Sequence, residues 1–154
     1  MFELLLKFPK ALYWGLPNYL REQGDSKRGW RKNAERRDCS ATAVLGALEA
    51  AYALNERAKS DESREEDITG LASYAEEVVN SHQLVNNPWN VLIAGVEIPA
   101  VLAGISPDNK AVRKLLKGSA SLLAESANVL FDEEGVVRAR HFSWYAAIVA
   151  TWTR

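Results

Sequence analysis

Apolar residues in this 154-residue chain recur three and four positions apart, and nowhere do they alternate with polar residues for long. A backbone that turns once per about 3.6 residues gathers i, i+3, i+4 and i+7 on one face, whereas a half-buried strand would need a period of two. Val44, Leu45, Leu48, Ala51 and Tyr52 make one such stripe, and Ile68, Leu71, Ala75 and Val78 a second. Val112, Leu115, Leu116, Leu122 and Leu123 make a third; Phe142, Tyr145, Ile148, Val149 and Trp152 make a fourth. The β-branched residues fall inside these spacings, so they do not mark strands. The pattern predicts an all-α, compact assembly of five to seven helices, one domain spanning 1–154.

Local punctuation places the helix ends. Asp38 or Ser40 can accept a bond from the free amides that open the Val44 helix. Ser63 followed by Glu66 is a capping box. Ser106-Pro107-Asp108 offers a cap, a proline at the first helical position and an acid where the helix dipole favours it. Asp132 to Gly135 ends that helix, and Asn86-Asn87-Pro88 separates the second stripe from the apolar run Val91 to Gly104. Upstream, Pro9 and Gly15-Leu16-Pro17 break residues 2–23 into two short helices, Gly24-Asp25-Ser26 stops them, and a basic loop follows. The last helix runs to Arg154 without a Gly or Pro stop, as in a chain cut from a longer protein.

A chain of this length buries roughly two thirds of its unfolded surface and needs no metal or disulfide to fold. Cys39 is alone, which fits a reducing cytoplasm. The N-terminal Phe2 to Lys10 is apolar, but Glu3, Lys7 and Pro9 make it a poor export signal. The Val91 to Gly104 run contains Glu97 and Pro99 and is shorter than the roughly twenty residues a membrane span takes, so it reads as a core helix.

The formal net charge of −1 argues against a dedicated nucleic-acid binder. That charge is segregated: Lys27, Arg28, Arg31, Lys32, Arg36 and Arg37 crowd one loop, while Asp61, Glu62, Glu65, Glu66, Asp67, Glu76 and Glu77 dominate the next segment but one. The plain expectation is two solvated surfaces; the sharper one is a basic loop, with Arg31, Arg36 and Arg37, that meets an acidic partner or phosphate.

Between Tyr19 and Leu48 the order is Tyr19-Leu20-Arg21-Glu22-Gln23, a polar turn to Gly29-Trp30, then Asp38-Cys39-Ser40-Ala41-Thr42-Ala43 opening an apolar helix. This resembles one repeat of the α/α toroids of triterpene cyclases and protein prenyltransferases, over about a fifth of the chain. The resemblance implies a partial toroid or helical-repeat architecture. In oxidosqualene cyclases an Asp-Cys-Thr-Ala-Glu segment carries the acid that protonates the epoxide; Asp38, Cys39 and Ala41 match, with Ser40 for Thr and Thr42 for Glu. The resemblance would make Asp38 a general acid, although Arg36 and Arg37 beside it favour the ionised form. The prenyltransferases hold zinc through Asp-x-Cys and a distant His; here Asp38 adjoins Cys39 directly, and His82 and His141 stand in no ligand spacing, so no metal is expected.

Glu97 in the most apolar helix needs a partner or a polar pocket, and Pro99 frees a carbonyl near it. The His141-Phe142-Ser143-Trp144-Tyr145 cluster could stack a ligand; Phe142 and Tyr145 belong to the core stripe, which leaves His141 and Trp144 as contact candidates. No phosphate loop, dinucleotide fingerprint, calcium loop or zinc finger is present, so no cofactor is expected. The turns Asp25 to Gly29 and Asp132 to Gly135, each followed by a basic stretch and a helix, resemble two copies of one unit. Two functions follow as expectations. One is a non-catalytic regulatory or interaction module that binds another protein or a neighbouring part of its parent chain; the other is a fragment or small relative of the terpene cyclase and prenyltransferase enzymes, with Asp38 and Glu97 facing an aromatic cavity.

Overall fold

The computed structural model describes residues 26–55, 63–138 and 141. Five helices account for most of them: α1 Ser26–Glu35, α2 Ala41–Asn55, α3 Ser63–Ser81, α4 Pro88–Ile105 and α5 Lys110–Leu130. Among the described residues there is no strand, only an isolated antiparallel bridge between Phe131 and Val137. The all-α expectation holds. The two short N-terminal helices, the Phe142 to Trp152 stripe and Trp144 lie outside the described residues.

Cross-links give the direction of each helix. Arg64 near the start of α3 donates to the Leu54 carbonyl at the end of α2, and His82 just past α3 bonds the Cys39 carbonyl before α2, so the two helices are antiparallel. Asn90 in the first turn of α4 also reaches Cys39, while Ser106 after its last turn donates to Glu65 at the start of α3. α4 therefore runs back along α3. Asn109 bonds Thr69 and Lys114 bonds Glu76, so α5 rises alongside α3 once more. Every helix packs against α3, which is the central member.

The core is where the stripes place it. Val44, Ile68, Leu71, Ala75, Val78, Ile93, Ala94, Ile98 and Leu102 are completely enclosed. A second cluster, Leu84, Val91, Leu92 and Leu130, closes the far end with Leu122 and Phe131 against it. The α5 stripe is narrower than its sequence implies: Val112 is buried, but Leu115, Leu116, Leu122 and Leu123 are half-buried, and Ser119 and Ser126 take interior places.

Ser119 explains itself through Pro99. Proline cannot donate to the carbonyl four residues before it, which here is Gly95, and α4 widens into a π turn over Ile93–Glu97 in which Ile98 N–H bonds the Ile93 carbonyl. The carbonyl left over at Gly95 accepts from Ser119 Oγ at 2.6 Å. Gly95 also admits α5, because a Cβ there would run into Leu122 Cδ2 and lie 3.1 Å from Val79 Cγ2. By length and composition α4 could reach across a bilayer, longer than its apolar run because Pro88 opens it early; 61% of it is buried inside the protein, as in a core helix.

Three expectations about helix ends change. The basic segment is α1, a helix, because no proline or glycine pair interrupts Ser26 to Glu35 and Trp30 and Ala34 give it an inner face. Gly29-Trp30 accordingly lies within a helix, whereas Asp132 to Gly135 is a turn, so the two units proposed as copies differ. The cap of α5 is Asn109, whose Oδ1 accepts from Ala111 and Val112 at 3.0 and 3.3 Å. Ser106-Pro107-Asp108-Asn109 is a β-turn closed by Asn109 N–H on the Ser106 carbonyl, with proline at its second position, where its fixed φ suits a turn as well as a helix start.

Candidate functional site

The sequence candidates Arg31, Arg36, Arg37 and Asp38 all lie on α1 or on the connection 36–40 that leads to α2. α1 ends in a Schellman motif: Asp38 N–H bonds the Asn33 carbonyl at 2.9 Å and Arg37 N–H the Ala34 carbonyl at 3.0 Å. The residue that must turn left-handed is Arg37, at φ 51°. Glycine is the usual occupant of such a position. Asp38 Oδ1 then accepts from Ser40 N–H at 3.0 Å. Ser40, not Asp38, caps α2, its Oγ accepting from the Ala43 amide at 3.3 Å.

The carbonyls of this connection face inward and are met by side chains. Tyr74 donates its hydroxyl to the Asp38 carbonyl at 2.6 Å, and burial pushes that phenol's pKa up. The Cys39 carbonyl accepts from Asn90 Nδ2 and from His82 Nε2, each at 2.9 Å, which fixes the His82 tautomer with its proton on Nε2. A cysteine, a histidine and an asparagine thus converge, an arrangement no sequence spacing announced. They meet on a backbone carbonyl and not on sulfur. Burial, with Glu77 and Asp38 adding negative charge, raises the Cys39 thiol above its ordinary pKa, opposite to what a nucleophile needs. The Ser81 hydrogen bond offsets part of that rise. Asn90 Oδ1 is buried without a hydrogen-bond partner among the described residues.

The basic residues fare differently from one another. Arg31 Nε donates to Asp67 Oδ1 at 2.9 Å with Nη2 on the same oxygen, and its guanidinium lies over the Trp30 ring at 5.8 Å. Asp67 is buried, so this member of the acidic segment is no solvated surface charge. Arg37 reaches Glu77 at 3.4 Å with its side chain 83% exposed. A contact so open to water is worth little. On the other flank Lys114 of α5 bonds Glu76 at 2.6 Å. The acidic helix α3 is therefore the partner of both basic neighbours: the charge segregated along the sequence is recombined in the fold. Lys32 and Arg36 remain exposed.

Glu97 is buried in the π turn and accepts from the Tyr52 hydroxyl at 3.3 Å. At the helical rise per residue, Tyr52 lies about 17 Å along α2 from its first residue, Ala41. Glu97 itself stands seven residues, about 10 Å, along α4 from Asn90, which meets the Cys39 carbonyl next to Asp38. Asp38 is half-buried in a polar turn. His141 is buried at 3% exposure and therefore offers no surface for contact, and Trp144 lies outside the described residues. Among the described residues no three His, Cys, Asp or Glu side chains gather as metal ligands. Comparison of the chain with known protein families, with curated proteins and with solved structures gives no match.

Proposed function

We propose that the chain is a non-catalytic helical module that binds another protein, or a neighbouring part of a parent chain, through the outer face of α1. The observation that carries this reading is the side-by-side exposure of Lys32 and Arg36, which have no acidic partner among the described residues although α3 supplies one to Arg31 and Arg37. The groups with catalytic potential have other work. Asp38 closes a turn, Glu97 accepts from Tyr52, and the Cys39 thiol is raised in pKa. A cyclase-like acid would need an enclosed apolar setting to hold its proton, and Asp38 lies in a polar turn instead. The test is affinity capture of the whole chain from its native source under mild salt, followed by reconstitution with the captured protein in purified form. A stoichiometric complex is expected. Recovery of the chain alone under every condition, together with turnover of an isoprenoid substrate that Asp38→Asn abolishes, would replace this reading with the enzymatic one.

A further inference from the structure

We draw no further inference here: the strongest candidate, the exposed basic outer face of α5 formed by Lys110, Arg113 and Lys117, is an unpartnered helix face, and nothing in the structure shows what covers it.

Discussion

Arg37 is the residue where local physics and sequence disagree most openly. A non-glycine residue in the left-handed region crowds its Cβ against the following carbonyl, at a cost of about 1–2 kcal/mol. Glycine removes that crowding but loses more freedom on folding, and the exposed contact with Glu77 that would be lost is worth a fraction of a kcal/mol. Arg37→Gly is therefore expected to leave stability unchanged or raise it by up to about 1 kcal/mol, read from urea denaturation midpoints at constant m-value. A loss of more than a kcal/mol would mean that the Arg37 side chain holds the turn by contacts other than Glu77. Arg37→Ala keeps the Cβ and drops the ion pair, so the difference between the Ala and Gly variants isolates the backbone contribution. Cys39, two residues on, shows the same lesson in another form: its neighbours His82 and Asn90 are the partners a reactive thiol would have, but the atoms that touch define a carbonyl staple.

At the scale of elements, docking of α1 and α5 depends on absent side chains as much as on present ones. Trp30 of α1 comes so close to α3 that a Cβ added at Gly70 would stand 2.7 Å from its ring. Gly70→Ala must push the indole outward and is expected to cost about 1–3 kcal/mol despite the gain in helix propensity. Gly118 on the exposed side of α5 has nothing within 4 Å of such a Cβ. Gly118→Ala should therefore stabilise by about 1 kcal/mol. Thermal melts of the two variants should move in opposite directions. Trp30 fluorescence should shift in Gly70→Ala, a change read once the remaining tryptophans are replaced. Parallel stabilisation of both variants would show that α1 does not rest on Gly70. The same logic accounts for Ser119, which looks like a polar interruption of the α5 stripe until Pro99 leaves the Gly95 carbonyl in need of a donor.

Over the whole molecule, what was legible in the sequence is what depends on period. The stripes of α2 and α3 predicted enclosed residues such as Val44, Ile68 and Val78, and thereby the helical class. Pairings between elements depend on distances no period encodes, so Arg31 with Asp67, Ser119 with Gly95 and the three side chains on the 38–39 carbonyls were not legible. A buried acid such as Asp67 leaves a trace only in hindsight, since it directly precedes Ile68 and follows the exposed Glu65 and Glu66. The turn between α4 and α5 is stapled to α3 by Glu65, whose Oε2 accepts from Asn109 Nδ2 at 3.0 Å and Oε1 from Ser106 Oγ at 2.8 Å. Those two hydrogen bonds, Asn109 first, hold the Glu65 pKa below the ordinary glutamate value. A depressed carboxylate stabilises the fold at any pH above its unfolded value, and that contribution drains away as pH falls through the folded one, so the loss belongs below about pH 4.3. Glu49 works the other way: burial raises its pKa, so its share of stability is present in acid and is lost as pH rises through the folded value. Glu65→Gln should therefore flatten the acid limb of a melting-temperature profile between pH 3 and 5 while lowering stability at pH 7. Glu49→Gln should raise the melting temperature at pH 7 and change it little at pH 3, where the wild-type carboxyl is already neutral. Two profiles displaced from wild type by a constant amount at every pH would show that neither carboxylate changes its proton affinity on folding, and would remove Glu65 as the link between α3 and the α4–α5 turn.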